Sequence, residues 1–168
     1  MFPMSSWPTV RMTPRRNASC SEWSDEDDLI KMTRYLLDTN IASCVIKGNN
    51  PAVDRRLVKV PMAELAISAV TEGELRFGAA RLPHATRLHN LIEDFFLRVA
   101  VLPWDSDAAQ QYGRLRAALE REGQPMGNLD VMIGAHALAL NAVLVTNDHA
   151  FARIKKLKVG DWTKEPRH

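Results

Sequence analysis

The sequence of 168 residues contains only two cysteines, Cys20 and Cys44, and it has no long hydrophobic run. The two cysteines lie in unlike contexts and match neither a metal-binding nor a redox spacing, which indicates a reducing compartment. No apolar stretch approaches the ~18 residues of a membrane span, and residues 1–31 lack the pattern of a signal peptide. We therefore expect a cytoplasmic protein without a membrane anchor.

The sequence also lacks a zinc-binding set, although it contains five histidines. His84 and His89 fall on a predicted surface helix, and His136 stands alone in an apolar helix. A single histidine among apolar residues is more typical of a hydrogen-bonded core residue than of a metal ligand. Zinc chemistry is therefore not the expected function.

The chain has the size and apolar content of one globular domain, with 46% hydrophobic residues. Residues 1–31 mix proline, serine, tryptophan and charge without periodicity, and we expect a poorly ordered extension there. Met32 directly precedes a predicted strand, so it is a candidate for the natural start. The alternative is a genuine acidic arm that lies against a basic face. The domain itself is expected over residues 32–168.

Short apolar runs alternate with helical segments along this domain. Strands are predicted at 35–37, 65–69, 99–102, 142–145 and 157–159, with helices between them. Pro51 and Pro83 are each expected to open a helix. Strands and helices that alternate in this way predict an α/β fold, in which a central parallel sheet is flanked by helices on both faces.

Four carboxylates stand at the boundaries of these apolar elements. Asp38 and Asp148 follow strands, Glu74 lies just inside the helix after the second strand, and Asp130 lies in the first turn of an apolar helix. Helices that follow parallel strands begin at the strands' carboxyl edge, so the four acids should share one region. Such a cluster needs cations or bound protons, and oxygen ligands favour Mg²⁺ or Mn²⁺.

Each acid also has a purely structural explanation. Asp38 or Thr39 can cap a helix, Thr71-x-x-Glu74 spells a capping box, Asp130 can complement a helix dipole, and Asp148 can be a turn residue. Each explanation is sound alone. A purely structural interpretation of the four acids requires all four explanations to be correct at once, and this requirement makes that interpretation weaker.

The formal net charge is +2, and residues 32–168 carry 18 basic and 15 acidic residues. With four of those acids bound to metal, the remaining surface would be clearly basic and would suit a phosphate-bearing polymer. Scattered lysine and arginine also serve solvation. The charge therefore permits a nucleic-acid partner without selecting one.

Four motifs in order closely resemble the PIN-domain ribonucleases, and specifically the VapC toxins of bacterial toxin–antitoxin pairs. They are YLLDTN at 35–40, ISAVTEGELRFG at 67–78, GQPMGNLDVMIGAHA at 123–137 and LVTNDHAF at 144–151. The resemblance extends over residues 33–162. It implies a PIN-like fold and an endoribonuclease that hydrolyses RNA, with structured tRNA as the family-level substrate.

The resemblance also implies roles for individual residues and partners. Glu74 is preferred over Glu72, because the motif places the functional acid directly before Leu75. Asn40 and Thr146 match positions that orient the acids. A homodimer and a VapB-type antitoxin are the implied protein partners, and Mg²⁺ or Mn²⁺ is the implied cofactor. The implied catalytic and metal-binding acids are Asp38, Glu74, Asp130 and Asp148.

Two other function classes remain open from the sequence. A phosphoacceptor domain also places an aspartate after its first strand, but Asp38-Thr39-Asn40 lacks the second acid of such sites. A catalytically silent PIN-like module that binds RNA or protein is the second alternative. Metal-dependent cleavage of RNA, with and without an acid substitution, separates these classes.

Overall fold

A sheet of five short parallel strands forms the centre of the structure, a computed structural model that describes residues 33–164. The predicted extension over residues 1–31, with Cys20, and the alternative start at Met32 lie outside the described residues. Each strand is only three or four residues long. The strands are β1 (Tyr35–Leu37), β2 (Leu65–Ser68), β3 (Ala100–Leu102), β4 (Val143–Val145) and β5 (Lys158–Gly160).

The strand order in the sheet is β3-β2-β1-β4-β5. Leu36 at the centre of β1 pairs with Ala66 of β2 on one side and with Leu144 of β4 on the other. The chain builds β2 and β3 outward from β1, then returns to build β4 and β5 on the opposite side. The reversal lies between β1 and β4, and ligand sites of open α/β sheets lie at the carboxyl ends of strands at such a point.

Six α-helices connect the strands within residues 33–164, which confirms the predicted α/β class. Pro51 opens its helix as predicted, but Pro83 does not, because the helix that follows it begins only at Thr86 after a turn in which Ala85 bonds to Leu82. The helices are α1 (Thr39–Lys47), α2 (Pro51–Leu57), α3 (Ala69–Ala80), α4 (Thr86–Phe96), α5 (Ser106–Arg121) and α6 (Asn128–Ala139).

Successive residues of the strands face two separate cores. Leu37 and Val145 pack toward α1, α2, α3 and α4, where they meet Ile41 and other apolar side chains. Leu36 and Leu144 point the other way, toward α5 and α6. This alternation is the period-two pattern of a strand that is buried on both faces. The sheet therefore lies between two helical layers and holds the strand ends in fixed positions.

Every helix within residues 33–164 is too short or too polar to cross a membrane. Two short 3₁₀ helices complete the described structure, at Met62–Glu64 and His149–Arg153. The second of them follows β4 directly at the carboxyl edge of the sheet, where the first residue after β1 also lies.

Candidate active site

Asp38 is the first residue after β1, and its side chain is buried, with 4% of its surface exposed. One carboxylate oxygen, Oδ1, accepts a hydrogen bond from the backbone nitrogen of Ile41 at 2.7 Å and so caps α1. The other oxygen, Oδ2, accepts a hydrogen bond from the hydroxyl of Thr146. The capping role proposed from the sequence is therefore real, and it leaves the second oxygen directed at the end of β4.

Burial raises the pKa of Asp38, because a charged carboxylate loses water when it is enclosed. The hydrogen bonds from Thr146 and Ile41 oppose this effect, since they stabilise the charged form. The like charges of Asp148 and Asp130 add to the rise. Three of the four predicted acids therefore interact electrostatically.

Thr146 connects the carboxyl ends of β1 and β4. Its side chain is almost fully buried, at 1% exposed, and its hydroxyl oxygen accepts a hydrogen bond from the backbone nitrogen of Asp148 at 3.0 Å while it donates to Asp38. Asp148 in turn accepts a hydrogen bond from the backbone nitrogen of Ala150 at 2.8 Å and caps the following 3₁₀ helix. This chain of hydrogen bonds fixes the position of Asp38 relative to the turn that carries Asp148.

Glu74 lies on α3 and is held by Thr39, which the sequence offered only as a possible helix cap. Its Oε2 accepts a hydrogen bond from the hydroxyl of Thr39, in the first turn of α1. Thr39 directly follows Asp38, so two successive residues contact different acids. The tripeptide Asp-Thr-Asn after the first strand was the available signal, but only its third residue was assigned an orienting role. That residue, Asn40, is exposed, and within residues 33–164 no hydrogen bond connects it to the four acids.

The capping box proposed for Thr71 and Glu74 is wrong. The N-cap of α3 is Ser68, whose hydroxyl accepts a hydrogen bond from the backbone nitrogen of Val70 at 3.1 Å. Thr71 is the third residue of the helix and is fully buried, so it cannot act as the cap. Glu72, the competing acid, pairs with Arg76 at 2.7 Å instead.

Asp130 lies in the first turn of α6, as the sequence predicts. Burial raises its pKa, and the like charges of Asp148 and Glu74 raise it further. The carboxylate packs closely over Gly127, where an added Cβ would lie 2.6 Å from Asp130 Oδ2. Gly127 therefore leaves the space that the acid occupies. The sequence contained this glycine but gave no reason to connect it with the acid.

His136 is a core residue, which confirms the structural interpretation of the lone histidine. It is 2% exposed, and its Nδ1 lies 2.9 Å from the hydroxyl oxygen of Ser68. Burial lowers its pKa, so the ring favours the neutral form. The hydrogen bond connects α6, which carries Asp130, with the cap of α3, which carries Glu74.

The donor set at this edge consists of carboxylate oxygens, which suits a hard divalent cation such as Mg²⁺ or Mn²⁺. Within residues 33–164, no three acidic, histidine or cysteine side chains lie close enough together to form a complete metal-binding site. Mg²⁺ usually keeps several water molecules and binds only one or two carboxylates directly. An open group of acids that raise one another's pKa values fits this mode of binding.

The comparison with known families agrees with this geometry. Residues 35–157 match the PIN domain family. The chain belongs to the PIN domain family. A relative from Shigella flexneri, named tRNA(fMet)-specific endonuclease VapC, is 38% identical over 133 residues, which are 79% of this chain and 100% of that protein. Ribonuclease VapC2 of Haemophilus influenzae is 32% identical over 132 residues, 78% of this chain and 99% of that protein.

Solved structures show the same relationship. A DNA-bound VapBC structure from Salmonella typhimurium aligns with a TM-score of 0.73 and 34% identity, covering 77% of this chain and 98% of that one. VapBC-1 from nontypeable Haemophilus influenzae aligns with a TM-score of 0.72 and 36% identity, covering 79% and 100%. Together with the relatives, these matches confirm the predicted PIN fold and the predicted enzyme class, an endoribonuclease of the VapC toxin type.

Proposed function

We propose that this PIN domain cuts RNA with the help of Mg²⁺ or Mn²⁺ held by Asp38, Glu74, Asp130 and Asp148. The observation that supports this site is the electrostatic coupling of the acids, because Asp148 raises the pKa values of both Asp38 and Asp130. A group of acids that destabilise one another's charged forms favours cation binding, since a cation offsets the repulsion.

The side chains at this site have different roles in holding the cation. Asp38 is fixed on both oxygens and would present its charge with little loss of side-chain entropy on binding. Thr146 orients Asp38, and Thr39 orients Glu74. A divalent cation held by these acids would supply a water of lowered pKa and would offset the charge that develops on the phosphate during cleavage. No nucleophilic side chain is required for hydrolysis of this kind.

The substrate and the partners follow from the relatives. The Shigella relative is named for cleavage of tRNA(fMet), so tRNA is the substrate class that we propose here. The solved structures are VapBC complexes, so a VapB-type antitoxin is the proposed inhibitor. We also propose a homodimer as the assembled form, as the family resemblance implies. We also propose that the protein acts in the cytoplasm, where its RNA substrate is present.

Cleavage of purified tRNA and total RNA tests the metal-dependent activity. We expect products with Mg²⁺ or Mn²⁺, none with EDTA, and none from an Asp130→Asn variant that retains the wild-type melting temperature. Asp94→Asn is the matched control, because Asp94 is an exposed acid of α4 that lies outside the acid group. Equal cleavage by the Asp130→Asn and Asp94→Asn variants would reject the site, and binding of RNA without any cleavage would favour the silent module.

Expression in cells tests the toxin role separately. We expect growth arrest when the chain is expressed alone, and rescue when the product of the adjacent reading frame is expressed with it. An active ribonuclease that leaves growth unaffected would argue against the toxin role and leave the nuclease assignment intact.

A further inference from the structure

A second charged site lies away from the acids. A cleft of about 540 Å³ is formed by the C-terminal parts of α5 and α6 and by the segment that leads into β5. We call this site the basic cleft. It is defined by the cationic residues that line it, which are Arg114, Arg153, Lys155, Lys156 and Lys158. Glu122 is the one acidic side chain among the described residues that line it.

The positive charge of the basic cleft is only partly neutralised within the fold. Lys155 forms an ion pair with Glu122, and Lys158 donates a hydrogen bond to the side-chain oxygen of Asn141 at 2.9 Å. Within residues 33–164, no ion pair holds Arg114, Arg153 or Lys156. Cations gathered around one concave surface repel one another, and a polyanion relieves that repulsion.

The backbone around the basic cleft is also unusual. Asn141 has a φ of 51° and Lys156 a φ of 68°, and these are the two non-glycine residues with positive φ in the described chain. Both residues line the cleft. Left-handed backbone is uncommon for lysine and costs free energy, and residues in such conformations tend to occur at binding surfaces. The fold thus maintains a strained backbone at the position where it presents Lys156.

The basic cleft faces the edge of the sheet opposite the acids. Ala142 lines the cleft just before β4, whereas Thr146 and Asp148 follow β4. The four residue steps from Ala142 to Thr146 correspond to ~13 Å along an extended strand. A stacked nucleic-acid strand advances ~3.4 Å per nucleotide, so ~4 stacked nucleotides cover this distance.

We propose that the basic cleft binds the phosphate backbone of the RNA substrate and anchors it outside the acid site. This inference rests on the proposed ribonuclease function and adds to it a second, sequence-independent contact. No aromatic side chain lines the cleft in the described part of the chain, so its contacts are to phosphates rather than to stacked bases. The cleft therefore contributes affinity for long RNA, and base selection lies elsewhere.

The test is a paired charge reversal of two cleft cations that form no ion pair within residues 33–164, Arg153→Glu with Lys156→Glu. The matched control is Lys47→Glu with Lys59→Glu, which makes the same charge change at exposed positions of the other helical layer. RNA binding is measured in the Asp130→Asn background, so that the RNA stays intact. Each lost phosphate contact lowers the slope of log affinity against log salt by ~1. Loss of two contacts therefore lowers the salt slope by about two. Over a fourfold rise in salt, from ~50 to ~200 mM, the wild type then loses ~16-fold more affinity for RNA than the variant does.

Cleavage assays use the charge-reversal variants with Asp130 intact. They distinguish an effect on RNA binding from an effect on the cleavage step. We expect the charge reversal to raise KM for tRNA with kcat retained, and to leave cleavage of a dinucleotide unchanged, because the single phosphate of a dinucleotide cannot occupy both sites. The control pair should behave as wild type in each assay. Arg153→Glu alone should raise KM for tRNA and lower the salt slope by less than the double variant does. Such a graded effect would show that the double variant does not act through a local folding defect.

An unchanged salt slope and an unchanged KM for tRNA would overturn the anchoring proposal. Loss of binding to poly-glutamate with unchanged RNA binding would also overturn it, and would indicate an acidic protein as the occupant. Failure of the wild-type enzyme to cut any RNA would reject the proposed function instead, and the salt slope of binding would still test the basic cleft.

Discussion

Replacement of Asp38 by asparagine should abolish cleavage and leave the fold nearly unchanged. Asparagine has almost the same volume and keeps an oxygen that can accept the hydrogen bond from Ile41 at the start of α1. It loses the negative charge that we assign to cation binding. Cleavage should fall by more than ~100-fold, because even outer partners of metal ligands change activity by 10- to 100-fold.

The stability effect follows from the two contacts of Asp38. The asparagine variant removes a buried charge whose pKa is raised, which favours the folded state, but the Thr146 hydroxyl loses its acceptor. These effects oppose each other, so we expect a free energy of unfolding within ~1 kcal/mol of wild type. Asp38→Ala also loses the cap of α1 and should be ~1 to 2 kcal/mol less stable than the asparagine variant, or roughly 3 to 10 °C lower in melting temperature.

The assay combines tRNA cleavage in Mn²⁺ with thermal unfolding of the metal-free proteins. Asp94→Asn should match wild type in both measurements, since it changes an exposed acid. Wild-type cleavage by Asp38→Asn would refute the assignment of Asp38 to the site. Equal melting temperatures for Asp38→Asn and Asp38→Ala would refute the inference that this side chain stabilises α1.

The structure supports further predictions. Thr146→Val should lower cleavage by ~10- to 100-fold and destabilise the fold by ~1 to 3 kcal/mol, measured by kinetics and denaturant unfolding, because it removes the hydrogen bonds at the ends of β1 and β4. Gly127→Ala should leave the melting temperature near wild type but weaken Mn²⁺ binding in a calorimetric titration, since the new Cβ displaces the flexible end of Asp130. In EDTA, the melting temperature of Asp38→Asn relative to that of wild type should be highest at pH ~8 and should fall as the pH falls through the raised pKa of Asp38, because a raised pKa means that the wild type loses stability as the pH rises. A difference independent of pH would contradict this. A chain that begins at Met32 should retain wild-type stability and cleavage, and a loss of several degrees in melting temperature would make residues 1–31 part of the domain.

Most of the fold could be predicted because its signals are local. Buried strands such as Tyr35–Leu37 are apolar runs too short for a helix, and the helices between them dictate parallel pairing. Exact boundaries were less predictable. Pro83 is compatible with a helix start, but the chain makes a turn first and the helix begins at Thr86. A proline fixes its own φ, whereas the start of a helix depends on the packing of the residues that follow.

The acids could be located from the sequence, and the family resemblance named Thr146 as a residue that orients them, but the roles of Thr39 and Gly127 could not be found in this way. Asp38 and Asp148 follow strands, so their position at the carboxyl edge needs only the topology. The contact between Thr39 and Glu74 joins residues 35 positions apart, and the space that Gly127 leaves for Asp130 depends on the path of one loop. Such details follow from how helices pack on the sheet, which periodicity does not encode.

The structural and functional interpretations of Asp38 and Asp148 proved compatible. Each aspartate caps the helix or turn that follows its strand, and the charge of Asp148 contributes to the raised pKa values of Asp38 and Asp130. A cap requires only one carboxylate oxygen, whereas a carboxylate has two. The capping bond uses one oxygen, the second oxygen of Asp38 accepts the hydrogen bond from Thr146, and the charge of the fixed side chain remains available to a cation. An acid that caps a helix at the carboxyl edge of a parallel sheet is therefore held in a fixed orientation suited to metal binding. The same hydrogen bond stabilises the helix and orients the charged side chain.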